Sequence, residues 1–132
     1  MHDTPASPVR LLIVDDHALV REGLRARLEA LPRLRVVGEA ESGERGLALA
    51  LALRPDLVLL DVGMKDMTGI RLANLLAEQA PGVAVLMLSM YDQDEYVVSA
   101  ARAGARGYVL KDASVHELIA AIDAVVAGGT YY

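Results

Sequence analysis

Five short runs of β-branched and leucine residues alternate along this chain with five longer segments of helical periodicity, and few folds satisfy that pattern. The runs are Val9–Val14 (VRLLIV), Leu34–Glu39 (LRVVGE), Leu57–Leu60 (LVLL), Val83–Leu88 (VAVLML) and Arg106–Leu110 (RGYVL). Several are too continuously apolar for a sheet with one wet face, so both faces must be covered. Val20, Leu24, Leu28 and Leu31 recur at helical spacing, as do Leu118, Ile119, Ile122, Val125 and Val126, each set marking a buried stripe. Ser114-Val-His-Glu117 reads as a capping box at the start of the last helix, and Asp92-Gln-Asp-Glu95 as a looser version at the fourth. Pro55 and Pro81 close the second and third helices, and Gly128-Gly129 stops the fifth.

The alternation predicts an α/β fold, a doubly wound (βα)5 five-stranded parallel sheet in the flavodoxin-like order 2-1-3-4-5. The functional crevice of such a sheet lies beyond the carboxyl ends of its strands, at the switch point between the first and third. With 132 residues, 54% of them hydrophobic, there is room for one compact domain, read here as residues 9–129. Residues 1–8 (MHDTPASP) read as a flexible tail, and residues 130–132 as the start of a linker.

Composition excludes several classes of function. With no cysteine there is neither a disulfide framework nor a thiolate zinc site, which suits a cytoplasmic protein. No apolar run approaches the ~20 residues that span a bilayer, so no membrane role is expected. The net charge is −5 and the eleven arginines are scattered, a poor electrostatic footprint for nucleic acid, so DNA contact is not expected from this segment itself.

The residues that close the strands carry the chemistry. The first strand gives Asp15 and Asp16, the third Asp61, the fourth Ser89 and the fifth Lys111. All should meet in one crevice, where three carboxylates repel one another and need positive charge. Lys111 supplies one charge and a hard divalent cation the rest, with all-oxygen ligation favouring Mg²⁺ over zinc. A carboxylate can be a nucleophile, and phosphoryl transfer asks mainly for in-line positioning and neutralised oxygens. Asp61, at the mouth of the central strand, is the candidate nucleophile. Asp16, with Asp15 acting through water, would hold Mg²⁺. Ser89 would donate a hydrogen bond to one phosphoryl oxygen, and Lys111 would form an ion pair with another.

Four fragments, IVDDH at Ile13–His17, LLDVGM at Leu59–Met64, MLSM at Met87–Met90 and GYVLKDAS at Gly107–Ser114, resemble the motifs of the receiver domain of bacterial two-component response regulators. The resemblance spans Val9 to Gly129. It implies Asp15 and Asp16 as the acidic pair, Asp61 as the phosphoacceptor, Gly63 as a backbone-carbonyl metal ligand, Ser89 as the switch hydroxyl and Lys111 as the phosphate lysine. Its further implication is that phosphorylation by a sensor histidine kinase moves Ser89 inward and lets Tyr108 rotate into the space vacated. VDDHALVREGLRARL, VGEAESGERGL and GARGYVLKDAS are similar to the NarL/FixJ, or LuxR-type, branch. That branch implies a carboxyl-terminal helix-turn-helix effector domain outside this chain, DNA binding only through it, and homodimerisation as one form of output.

Two positions depart from the resemblance. Lys65, followed by Asp66, stands where a proline is common, which predicts a less rigid loop with altered charge; Lys65 itself is read as an exposed loop residue. Lys111-Asp112 lacks a proline after the lysine and should be a trans peptide. Bland readings exist for single residues: Asp15 and Asp16 as helix caps, Asp61 as a turn residue, Ser89 as a loop hydroxyl. Their coincidence at four strand ends favours the functional reading. His17 is read as a surface histidine, His2 and His116 as unremarkable, and Met64, Met67, Met87 and Met90 as packing around the crevice. Gly63 and Tyr91 flank the site and should influence how long a phosphoryl group survives there.

Two other functions remain open. A stand-alone receiver would relay phosphate or bind a protein partner without DNA. A magnesium-dependent phosphohydrolase would use Asp61 as nucleophile, but it would want a second carboxylate two residues on, where this chain has Gly63.

Overall fold

The computed structural model describes residues 8–91 and 93–132. Its elements alternate strictly: β1 (Val9–Val14), α1 (Ala18–Glu29), β2 (Leu34–Ala40), α2 (Gly43–Leu53), β3 (Leu57–Asp61), α3 (Gly69–Gln79), β4 (Ala84–Ser89), α4 (Asp94–Arg102), β5 (Gly107–Leu110) and α5 (Val115–Val126). All four strand pairings are parallel and the order is β2-β1-β3-β4-β5, the flavodoxin-like order expected. Asp61 and Ser89 prove to be the last residues of their strands rather than the first beyond them.

The continuous apolar runs are explained by what covers each face. Successive strand side chains point to opposite sides. Leu12, Val14, Val58, Leu60, Val85 and Met87 therefore pack with residues of α2, α3 and α4. Leu11, Ile13, Leu57, Leu59, Leu86 and Leu88 pack with residues of α1 and α5. At roughly 25 cal/mol per Å² of apolar area removed from water, these two layers supply the main driving force for the fold.

The helix boundaries follow local chemistry. Ser42, Thr68 and Ser114 cap α2, α3 and α5 by accepting the N–H of Arg45, Arg71 and Glu117, each at 3.1 Å. Pro55 and Pro81 follow the ends of α2 and α3, and Gly128, at φ +96°, takes the left-handed turn that ends α5. The start of α4 differs from expectation. Its N-cap is Gln93, with no side-chain cap bond, and Asp92 lies outside the described residues. The α5 stripe is also narrower than expected: Leu118, Ile122 and Val125 are buried, whereas Val126, one position round the helix, is 40% exposed. On α1, Leu24 and Leu28 are buried, and Leu31 lies just past the helix end, half-buried against the same cluster.

The expected tail, 1–8, lies outside the described residues except for Pro8, which is exposed. After α5 the chain turns back along β5. Tyr131 accepts from Tyr108 N–H and donates its own N–H to Arg106 O, both at 2.9 Å, and Tyr132 Oη donates to Ala105 O. Among the described residues, no helix is long and apolar enough to cross a membrane.

Candidate functional site

The 2-1-3-4-5 order brings the carboxyl ends of β1, β3, β4 and β5 to one edge of the sheet, and the expected residues meet there. Asp15, Asp61 and Ser89 are all buried, at 1%, 4% and 1% exposure. Lys111 joins them: its Nζ lies 3.0 Å from Asp15 Oδ2 and 3.1 Å from Asp61 Oδ1. Burial pulls the Lys111 ammonium down, but contact with Asp15 and the charges of Asp61 and Asp15 outweigh it and hold its pKa above 10.5. Lys111 N–H also donates to Ser89 O at 2.8 Å, which fixes the start of the lysine's segment against β4. The Lys111–Asp112 peptide is trans.

Each acid is placed by its own backbone. Asp15 Oδ1 accepts the N–H of His17 at 2.8 Å, a turn across two residues. His17 is the N-cap of α1 and makes no side-chain cap bond, so the helix-cap reading of the acidic pair fails. Asp61 Oδ1 accepts the N–H of Gly63 at 3.1 Å, so one carboxylate oxygen has two partners, this N–H and Lys111. Gly69 lets α3 start directly against this strand end, since a Cβ there would stand 2.5 Å from Asp61 O.

The unsatisfied atoms define what the site can hold. Among the described residues, Asp61 Oδ2 is buried with no hydrogen-bond partner, and Asp15 Oδ2, likewise without one, has the Lys111 ammonium 3.0 Å away. Asp16 Oδ1 also lacks an aligned donor, although the His17 ring nitrogen Nδ1 is 2.9 Å away. Orphaned buried carboxylate oxygens are costly unless a cation meets them. Donor atoms of Asp15, Asp16, His17 and Asp61 lie within 4.8 Å of one another, so the cluster fits a metal ion, and its carboxylates suit a hard one.

His17 is thus closer to the site than its sequence position suggested. Its side chain is 64% exposed, yet Nδ1 lies 3.1 Å from Asp15 Oδ1 as well as 2.9 Å from Asp16 Oδ1. Lys65 is exposed, as expected. Met64 and Met87 are buried, but Met90 is 76% exposed and does not pack around the crevice.

Tyr91 emerges as a hub. Its N–H donates to Ser89 Oγ at 2.9 Å, its carbonyl accepts from Tyr108 Oη at 2.6 Å, and its ring stacks on Tyr96 with centroids 4.8 Å apart. Tyr108 is itself only 6% exposed. The structure therefore already has this side chain inside, whereas the expectation was that it enters a space opened by Ser89.

A family model described as the response regulator receiver domain matches residues 11–123. The chain is 40% identical over 129 residues to the transcriptional regulatory protein MctR of Rhizobium johnstonii, covering 98% of this chain and 60% of that protein. It is 38% identical over 121 residues to the nitrate/nitrite response regulator NarL of Escherichia coli K12, covering 92% and 56%. It superimposes with a TM-score of 0.91 at 32% identity on a LuxR-family two-component response regulator from Aurantimonas sp. SI85-9A1, covering 96% of this chain and 90% of that one. The chain spans about half to three-fifths of the length of the curated relatives it matches.

Proposed function

This chain belongs to the response regulator receiver domain family, in its NarL/LuxR-type branch, and on that premise we propose that Asp61 accepts a phosphoryl group from a phosphohistidine of a sensor histidine kinase. The observation that carries the reading is the state of the Asp61 carboxylate. One oxygen is fixed by Gly63 N–H and Lys111, while the other, buried beside the acidic pair, has no hydrogen-bond partner among the described residues. That is a nucleophile oriented by one atom and available at the other.

In the transfer, an Asp61 oxygen forms the new O–P bond as the N–P bond to the donor imidazole breaks, and the imidazole takes up a proton and leaves neutral. Asp16 and Asp61, with Asp15 through water and Gly63 through its carbonyl, would hold Mg²⁺. When bound, the ion neutralises charge on the phosphoryl oxygens. Lys111 then pairs with one phosphoryl oxygen and the Ser89 hydroxyl donates to another. The phosphorylated residue carries close to two negative charges, enough to draw both side chains toward it.

Ser89 accepts the Tyr91 N–H and Tyr108 donates to the Tyr91 carbonyl, so a shift of Ser89 is passed through this residue's backbone to Tyr108 and to the face formed by α4, β5 and α5. This face is the output. The whole protein is then a cytoplasmic signalling regulator whose carboxyl-terminal helix-turn-helix domain binds DNA, with release of that domain or homodimerisation as the response. Residues 9–129 are the receiver domain in this reading, and residues 130–132 lead into the linker.

Intact-mass measurement after treatment with acetyl phosphate and Mg²⁺ tests the assignment. Wild type should gain one phosphoryl group and Asp61→Asn none. Addition to both proteins, or to neither, would remove Asp61 from this role.

A further inference from the structure

The loop joining β3 to α3 carries Lys65-Asp66 where a proline would stiffen it. The structure fixes this loop by other means. Asp66 Oδ1 accepts the N–H of Gly43 and Oδ2 the N–H of Glu44, both at 2.9 Å and both across more than twenty residues of chain. Gly43 and Glu44 are the first two residues of α2, and the opening N–H groups of a helix have no partner within it. A carboxylate there also meets the positive end of the helix dipole.

The next residue adds a second attachment. Met67 lies directly over Gly43, where a Cβ would come within 2.2 Å of Met67 Cγ, so the loop and α2 approach as closely as glycine alone permits. At the far end, Gly69 N–H donates to Val62 O at 2.8 Å. The segment from Val62 to Thr68 is therefore held at both ends and at Asp66–Met67. Gly63 lies inside it, one attachment on either side.

We propose that Asp66 is a positioning residue of the phosphorylation site: its carboxylate clamps the loop to α2 and thereby sets the Gly63 carbonyl where the metal is bound. Lys65 forgoes the stiffness that a proline ring would give, and the bidentate side-chain clamp replaces it. The inference rests on the reading of Asp61 and Gly63 given above. Among the described residues, the carboxylate of Asp66 bonds across the fold to the start of α2 and not to the acidic cluster, so its effect on the site passes through the loop.

The test is a Mg²⁺ titration of the full chain followed by amide chemical shifts, for wild type, Asp66→Ala, Asp66→Asn and Gly43→Ala. Asp66→Ala should bind Mg²⁺ about tenfold more weakly, the low end of what outer supports of a metal site contribute. Asp66→Asn keeps one acceptor oxygen and should fall between the two. Gly43→Ala leaves the loop sequence intact but pushes Met67 away from α2, and should weaken Mg²⁺ binding in the same sense. Urea midpoints measured without Mg²⁺ separate a general loss of stability from a loss of metal affinity.

Release of the Gly43 and Glu44 amide signals in Asp66→Ala, with Mg²⁺ affinity still within about twofold of wild type, overturns the proposal. Failure of wild type itself to bind Mg²⁺ overturns the underlying reading of the site instead. The two failures are distinguishable because the clamp signals are read without metal.

Discussion

Lys111 Nζ stands 3.1 Å from Asp61 Oδ1 and so joins the ends of β5 and β3, two strands that never touch because β4 lies between them. The same ammonium reaches Asp15 at the end of β1. One cation, carried at the end of β5, thus holds together two further strand ends whose carboxylates repel each other.

Lys111→Met should therefore destabilise the metal-free protein by about 3–5 kcal/mol, the usual cost of removing one partner of a buried ion pair and leaving the other uncompensated. Added Mg²⁺ should recover part of that loss, because the ion supplies the missing charge and binds only the folded state. Urea unfolding with and without Mg²⁺ measures both effects. Equal losses in the two conditions would detach the lysine from the metal site.

Gly69→Ala tests the close approach of α3 to Asp61. The added methyl would meet Asp61 O at 2.5 Å and Val62 Cα at 2.8 Å, both backbone atoms that cannot rotate away. The helix start must shift, at a cost of about 1–3 kcal/mol. Because the collision is with Asp61 itself, phosphorylation by acetyl phosphate should slow alongside the fall in stability.

Ser89→Ala removes the acceptor of the Tyr91 N–H, and Tyr108→Phe the donor to the Tyr91 carbonyl. Each should cost about 1 kcal/mol, and the double variant should depart from additivity by at least ~0.5 kcal/mol because both act on one residue. A denaturant double-mutant cycle reads the coupling, and amide exchange at Tyr91 shows where it acts. Strict additivity would mean that the hydroxyl and the tyrosine do not communicate through Tyr91.

The Asp66 clamp predicts a pH window. Hydrogen bonds from the backbone of Gly43 and Glu44 hold the Asp66 carboxyl below its ordinary 3.8. A depressed folded-state pKa contributes stability that is present above pH 3.8 and lost as the pH falls through the lower folded value. The Gly43 and Glu44 amide signals should stay constant down to that range and then move together. Movement centred at or above pH 3.8 would mean the clamp is not formed in solution.

The sheet order and the site were legible in the sequence for one reason: strand ends in a parallel sheet meet at one edge, so Asp15, Asp61, Ser89 and Lys111 could be brought together from the strand pattern alone. What escaped were contacts with no local signature. The partners of Asp66 lie 22 and 23 residues away on α2, and nothing around KDM in the sequence points to them. His17 was set aside for its helix-start position, yet that position follows the acidic pair directly and turns its ring back toward both carboxylates. Tyr91 was read for its effect on the phosphoryl group through its place beside the site, whereas its backbone links Ser89 to Tyr108.

The return of Tyr131 alongside β5 bears on how this domain can be handled. β5 is the last strand of the sheet, and its outer N–H and C=O groups would otherwise offer a template on which another chain could pair. Tyr131 occupies the Tyr108 N–H, and the Arg106 carbonyl just ahead of the strand, with its own backbone. A fragment cut back to the end of α5 would lose that cover, and its tendency to aggregate should rise even with every residue of the acidic cluster in place.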